Sequence, residues 1–532
     1  MWGSLLGLSS ALALVTISPA IAAPSDTNFN TKCTTLGKLA KVDNGVVNLI
    51  EAIGAGTNLS LPSQDPSCSP SSIVVPVDLC RISLNVTTSK RSGFRMEAWL
   101  PSNWTGRLLT TGNGGMGGCI GYGDMSYGTS LGFAAVGSNN GHDGDTGASF
   151  YNNPDTLADF VYRARHLSTV AGKLITTFFY GRKYTKSYYL GCSTGGRQGF
   201  KAAQDYPEDF DGIVAGAPAL AFNNLTSWSG HFYNLTAPPG SPTFLPPELW
   251  VTVHLDVLDQ CDALDGYVDG IIEDPRICNY DPSGLICANG ATTNCLTPAQ
   301  AGTVRGALSP LRTDNGDLVY PRLQPGAEVI AAFVLFNGQT FSYTADWFRF
   351  AIYNDPTWDP KTIDSDDYEA AARKNPFNAE TWKGDLSAVK NRGAKIIHWH
   401  GGEDFIITSE NSPRYYEHVK STMGLSNAQL DTFYRYFLVS GTGHCGGGNG
   451  AHAIGQGLGE VNSNSPKENV LMALVDWVEK GRAPETLLGT KWVNDQKEQG
   501  VDFQRAHCKY PKRNQYVQGN PKLPSSWKCV AV

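Results

Sequence analysis

The chain is 532 residues long, 41% hydrophobic and only 17% charged, which fits a compact globular protein of two or three domains and is too long for a small module. Its formal charge of −7 disfavours nucleic acid or an anionic membrane surface as the main partner. Aromatic residues make up 11%, enough to offer stacking surfaces to rings or sugars.

The N-terminus reads MWGSLLGLSSALALVTISPAIAAPSD. An apolar run from Leu5 to Ile17 leads into small residues ending Ala20-Ile21-Ala22, which predicts a secretory signal over residues 1–22 with cleavage after Ala22. The run is short for a membrane anchor and contains serines, although it lacks the usual leading Lys or Arg. No other apolar stretch is long enough to cross a bilayer, so the mature protein is expected to be soluble and extracellular. Twelve cysteines, an even number, argue for up to six disulfides in that compartment. Sequons at Asn58, Asn85, Asn103, Asn224 and Asn234 add the expectation of a eukaryotic secreted glycoprotein.

From Val74 to Leu100 apolar and polar residues tend to alternate, as in strands. Arg107–Thr111 reads as a short strand running into the glycine-rich GNGGMGGCIG, and Phe133–Ser138 as another ahead of NNGHDGD. Thr156–Phe179 carries helical spacing. Ser187–Cys192 is a strand, Arg197–Asp205 a helix, and Phe210–Ala219 a fresh strand. The alternation then stops. Residues 220–385 are rich in Pro, Gly, Trp and Asn and hold four cysteines, which predicts an inserted domain. Strands return at Ala394–Asp404 and Phe433–Cys445, followed by a helix at Lys467–Lys480. Alternating strands and helices predict an α/β fold with a mostly parallel sheet, built from residues 23–219 and 386–532.

Gly191-Cys192-Ser193-Thr194-Gly195 fits the G-x-S-x-G turn between strand and helix, where small flanking residues let the backbone pass close to its neighbours. A serine hydroxyl needs a base, and in this fold the order is Ser, acid, His. Asp404 follows a late strand, with Glu403 beside it; the apolar Phe405-Ile406 that anchor the loop favour Asp404. His444 follows the next strand among small residues that let its ring turn toward the serine. His452 is a weaker candidate, and His398 and His400 lie within a strand, where packing or lining the site is expected. Cys192 precedes the serine and Cys445 follows the histidine, so a Cys192–Cys445 disulfide would pin Ser193 and His444 close together. Oxyanion donors are expected from the backbone of Thr194 and, in the glycine-rich loop, of Gly115 or a neighbouring glycine.

Cys192-Ser193, Asp404 and His444-Cys445 form a CS-D-HC motif, and with it the chain resembles the tannase and feruloyl esterase family of secreted fungal hydrolases over nearly its whole length. GCSTGGRQG, GHDGDT and YPRLQPG liken it further to that family's type B feruloyl (cinnamoyl) esterases. The resemblance implies an α/β-hydrolase domain interrupted by a lid at 220–385. It also implies a structural calcium site in CDALDGYVDGI, from Asp262, Asp265 and Asp269 with the carbonyls of Tyr267 and Ile271. Proximity suggests Cys261–Cys278, Cys287–Cys295 and Cys508–Cys529, leaving Cys33, Cys68, Cys80 and Cys119 to pair among themselves.

The activity implied is hydrolysis of feruloyl or related hydroxycinnamoyl esters of plant cell-wall polysaccharides such as xylan, or of small hydroxycinnamate esters. Tannase activity on galloyl esters is the nearest rival, and a non-catalytic carbohydrate-binding protein on a hydrolase scaffold is another. An aromatic acyl pocket is expected from the lid, with Trp228, Phe232, Phe333, Phe336, Trp347 and Phe350 as compositional candidates.

Overall fold

A computed structural model describes residues 29–35, 42–288 and 290–531; the expected signal at 1–22 lies outside them. Nine strands make the main sheet: β1 (Gly45–Ile53), β2 (Leu79–Thr87), β3 (Gly93–Pro101), β4 (Arg107–Thr111), β5 (Phe133–Ser138), β6 (Lys186–Cys192), β7 (Gly212–Gly216), β8 (Lys395–Gly401) and β9 (Tyr434–Val439). Their spatial order is β1-β2-β3-β5-β4-β6-β7-β8-β9. From β5 to β9 every neighbour is parallel, while β1, β2, β3 and β5 pair antiparallel. The central strands are short apolar runs, FAAVGS and GIVAG, buried at every residue, as a parallel sheet covered on both faces requires.

The covering helices include α1 (Tyr122–Ser130), α2 (Ala164–Tyr180), α3 (Thr194–Asp205), α4 (Phe222–Thr236), α5 (Ser342–Asp346), α6 (Asn411–Thr422) and α7 (Val470–Lys480). Side-chain alternation along the strands divides the core. Tyr188, Val214, Ile397 and Trp399 pack with α1 and α7, whereas Tyr189, Ile213, Ile396 and Tyr434 pack with α3 and α6. The last helix, expected from Lys467, starts at Val470, and two others differ from expectation. The segment expected as one helix from Thr156 runs as Pro154–Ala158, a π-helical turn at Asp159–Arg163, then α2; buried Asp159 accepts bonds there from Arg163 and Thr88. Helix α3 starts at Thr194, three residues before the expected Arg197, because the serine turn delivers the chain straight into helical geometry.

Between α4 and Pro376–Asn378 the chain contributes no strand to the main sheet. It builds its own aromatic core, with Trp228, Trp250, Phe336 and Trp347 fully buried. That core is continuous with Met116, Phe150, Phe160 and Ile407 of the sheet-bearing part. A polar clasp joins the two: Asp346 of α5 accepts hydrogen bonds from Thr146 Oγ1 and from the Gly147 N–H, both at 2.8 Å. All twelve cysteines are paired, as Cys33–Cys80, Cys68–Cys119, Cys192–Cys445, Cys261–Cys278, Cys287–Cys295 and Cys508–Cys529. Among the described residues no helix is long and apolar enough to cross a membrane.

Asp346→Ala removes the acceptor of both clasp bonds, and a loss of about 1–3 kcal/mol is expected. Urea or thermal melts check this; an unchanged midpoint would mean that the shared apolar core alone fixes the clasp.

Candidate active site

Strand β6 ends at Cys192, and Ser193 takes φ 64° and ψ −125° before α3 begins. A non-glycine residue held there stores on the order of 1–3 kcal/mol of backbone strain. The surroundings hold it in place. The Ser193 N–H donates to Gly216 O at 3.0 Å, and its carbonyl accepts from the Arg197 and Ala219 N–H groups. The small flanking residues are a steric necessity, since a Cβ on Gly191 would stand 2.8 Å from the Gly195 carbonyl carbon and one on Gly196 2.3 Å from Gly216 O.

The Cys192–Cys445 bond sets the two Cα atoms 5.9 Å apart and so brings the loop after β9 to the serine turn. His444 in that loop is mostly buried, and its Nδ1–H donates to Asp404 Oδ2 at 2.7 Å. Among the described residues no hydrogen bond joins Ser193 Oγ to His444. Such bonds are often long in a ligand-free enzyme and tighten with substrate. Asp404 is fully buried. Its Oδ1 accepts the N–H groups of Ile406 at 3.0 Å and Ile407 at 2.9 Å, and its Oδ2 takes a second bond, from His400 Nε2, at 3.1 Å. Burial by itself would raise the pKa of this carboxyl, but the facing His444 and the bonds donated by His400 and His444 override that and hold it well below the ordinary carboxylate range.

The alternatives lie elsewhere. Glu403 makes no bond to His444; burial, with Glu328 nearby, pushes its carboxyl up to about 8. His452 is occupied by Glu460 and Asp495. His398 and His400 point from β8 toward α6, where both reach Ser412.

The two expected oxyanion donors, Thr194 and Gly115, lie on adjoining loops. The Thr194 N–H stands at the first turn of α3, where it has no partner in the helix, and among the described residues neither it nor the Gly115 N–H donates within the chain. Thr194 Oγ1 donates to Gly115 O at 2.6 Å and ties the two loops together. Gly115 has φ +52°, and a Cβ on it would lie 2.2 Å from Asp145 Oδ1. Asp145 supports the loop by accepting the Met116 N–H at 2.6 Å, while its other oxygen accepts the Tyr343 hydroxyl, also at 2.6 Å.

Ser193 and Thr194 open onto a narrow cleft whose apolar wall is Met116, Phe222, Leu225, Phe341, Ile406 and Ile407. Thr226, Ser229 and Tyr343 are its polar members; each donates its hydroxyl proton to a neighbour and so faces a ligand as an acceptor. None of the aromatic residues expected from composition lines this cavity. Trp228, Phe232, Phe336 and Trp347 are buried in the lid core, and Phe333 is 62% exposed. The residues that do line it were hidden because the start of α4, the segment before α5 and the loop after β8 converge only in three dimensions.

In the acidic loop Asp262 accepts the Asp269 and Gly270 N–H groups, and Asp269 pairs with Arg505 at 3.0 Å. Among the described residues no three His, Cys, Asp or Glu side chains gather as a metal-binding group. Asp265 Oδ2, however, is buried without a hydrogen-bond partner, and burial, with Glu273 and Asp269 nearby, pushes this carboxyl up to about 7. An orphaned buried carboxylate oxygen is the kind of donor that a hard cation takes.

Comparison with known proteins follows this geometry. The family described as "Tannase and feruloyl esterase" matches residues 80–530. The chain is 50% identical over 521 residues to "Probable feruloyl esterase B-2" of Aspergillus terreus, covering 98% of each chain. It superposes on the crystal structure of feruloyl esterase B from Aspergillus oryzae with TM-score 0.92 at 46% identity, covering 94% of this chain and all of the other. A tannin acyl hydrolase from Aspergillus niger shares the fold at TM-score 0.76 and 22% identity, over 94% and 95% of the two chains.

Replacing Cys192 and Cys445 together with serine is expected to lower stability by up to about 5 kcal/mol, the chain-entropy figure for so long a loop. Ester turnover should fall further than stability accounts for, because base and nucleophile lose their common anchor. Turnover measured well below the new melting temperature checks this; wild-type kcat in the double variant would mean the bond is only a staple.

Proposed function

The chain belongs to the tannase and feruloyl esterase family, and from that premise we propose that it is a serine carboxylic ester hydrolase acting on feruloyl and related hydroxycinnamoyl esters. The observation that carries the reading is the apolar cavity opening at Ser193, next to the buried Asp404–His444 pair. A flat hydroxycinnamoyl group fills such a cavity by shedding water from its ring and vinyl carbons. A methoxy group suits the wall of Phe222, Leu225, Phe341 and the two isoleucines, while Thr226 or Ser229 can accept a phenolic hydroxyl.

The chemistry follows from the site. Ser193 Oγ attacks the ester carbonyl carbon as His444 Nε2 removes its proton. Asp404 keeps the imidazole in the Nδ1–H tautomer and stabilises the imidazolium. The tetrahedral oxyanion takes the N–H groups of Thr194 and Gly115. Collapse expels the alcohol, protonated by His444, and leaves an acyl-serine. Water activated by the same histidine then releases the acid.

We extend the proposal to the setting. Natural substrates are feruloylated plant cell-wall polysaccharides such as xylan, reached outside the cell; six disulfides and the N-terminal sequence support secretion. Asn58, Asn85, Asn103 and Asn234 are exposed and Asn224 half-buried, which supports glycan attachment at the first four above all. Calcium is held by Asp262, Asp265 and Asp269 with the carbonyls of Tyr267 and Ile271. Its role is to brace the lid against the C-terminal segment, where Arg505 and Gln515 already reach this loop.

Methyl ferulate, methyl caffeate and methyl gallate assayed side by side test the substrate class, with ferulate or caffeate expected ahead. Equal or faster gallate turnover would move the protein to the tannase side. Ser193→Ala should cut kcat at least ~10³-fold. Chelation of calcium should lower the melting temperature while leaving the Asp404–His444 pair intact; an unshifted melt of verified metal-free protein counts against the cation.

A further inference from the structure

Behind Asp404 runs a chain of buried hydrogen bonds that the acyl-transfer steps do not use. Tyr434 OH lies 2.8 Å from His398 Nδ1, and His398 Nε2 lies 2.8 Å from Ser412 Oγ. Ser412 Oγ lies 2.6 Å from His400 Nδ1. His400 Nε2 lies 2.9 Å from the Ile407 carbonyl and 3.1 Å from Asp404 Oδ2. Tyr434, His398, Ser412, His400 and Asp404 are all buried.

Proton counting gives this chain a direction. The Ile407 carbonyl can only accept, so His400 carries a proton on Nε2 and shares it with Asp404. A neutral His400 then accepts at Nδ1, and the donor is the Ser412 hydroxyl. With its one proton given, Ser412 must accept from His398 Nε2–H. His398 in turn accepts at Nδ1 from the Tyr434 hydroxyl. Every group is satisfied, with no charge needed. If His400 took a second proton it would donate to Ser412, and either the Ser412 or, with the remaining bonds reversed, the Tyr434 hydroxyl would be left with no acceptor in this buried chain. Burial also keeps His398 neutral, its pKa well below the ordinary histidine value.

We propose that His400 is a positioning residue for Asp404: the chain from Tyr434 locks it as the neutral Nε2–H tautomer, so that it steadies the carboxylate without contributing a cation of its own. The inference rests on the reading of Ser193, His444 and Asp404 as a triad. Its consequence is specific. Asp404 receives a fixed dipole from His400, and the whole negative charge remains available to the imidazolium that forms at His444. The titratable groups facing Asp404 are His444 from the loop after β9, His400 from β8 and Tyr320 from the lid; Tyr320 in turn faces Arg414 and Glu380. Of these only His400 and His444 donate hydrogen bonds to the carboxylate.

His400→Met removes the donated bond and fills similar volume, whereas His400→Gln keeps an N–H near the Nε2 position. On methyl ferulate, His400→Met is expected to lower kcat roughly 10–100-fold with KM within about twofold. The acid limb of kcat/KM should move to higher pH by about 0.5–1 unit, because a less satisfied carboxylate holds the His444 imidazolium more tightly. His400→Gln should recover most of both effects. Ser412→Ala, which frees His400 Nδ1, should move the limb the same way by less, and it carries the test if His400→Met fails to fold. Long-range ¹H–¹⁵N spectra of histidine-labelled wild type should show His398 and His400 protonated only on Nε2. A wild-type acid limb in both His400→Met and Ser412→Ala, a uniform activity loss that His400→Gln does not rescue, or a protonated Nδ1 on His400 would overturn the proposal. Unchanged turnover in Ser193→Ala would instead overturn the triad itself, and the two failures are distinct.

Discussion

The Cys192–Cys445 bond is the constraint on which the site depends. Ser193 leaves the end of β6 and His444 follows β9, and β7 and β8 lie between those strands in the sheet. Three strand spacings separate the two strand ends by about 14 Å. Both loops must therefore bend inward over β7 and β8 to meet. The serine turn does so through a strained backbone, and Cys445 too sits at positive φ, 64°. Loops bent in this way would relax apart if only packing held them. A covalent tie between the residues flanking nucleophile and base converts two independent loop positions into one.

Electrostatics complete what the covalent tie begins. A carboxylate as deeply buried as Asp404 would normally take up a proton or ruin the fold. Here four donated bonds, two from backbone N–H groups and two from imidazoles, replace the lost water. Beside Ser193, the Thr194 and Gly115 N–H groups donate to nothing within the chain among the described residues. The site therefore carries a buried carboxylate on one flank and unpaired backbone dipoles on the other. Asp145 links that second flank to the lid, since one oxygen holds the Met116 N–H and the other the Tyr343 hydroxyl.

Much of this was legible in the sequence for local reasons. The serine turn shows itself because glycines are obligatory where backbones nearly touch, and the hydrogen-bonded pair of Asp404 and His444 because each closely follows an apolar strand. The four cysteines near the N-terminus could be grouped but not paired, because Cys33–Cys80 and Cys68–Cys119 depend on how β1, β2 and the glycine-rich loop stack. The acyl cavity could not be read at all: Phe222, Phe341 and Ile406 are distant in sequence, and the tryptophans that dominate the lid's composition stabilise it instead of facing ligand. His398 and His400, within a strand, looked like residues that pack or line the site. Their bonding partner Ser412 lies on a helix of the next layer, a relation that no spacing within β8 encodes.

The apolar interior of the lid has no boundary with that of the sheet: Met116, Phe160 and Ile407 belong to the same packed cluster as Trp250 and Phe336. Two bodies that share one interior cannot hinge apart without opening a water-filled crevice. The cleft at Ser193 takes walls from both parts, Met116 from one and Phe222 and Phe341 from the other, so its shape is tied to that shared packing. A side chain altered on either wall therefore reshapes the room left for an acyl group, however far it stands from Ser193 in sequence.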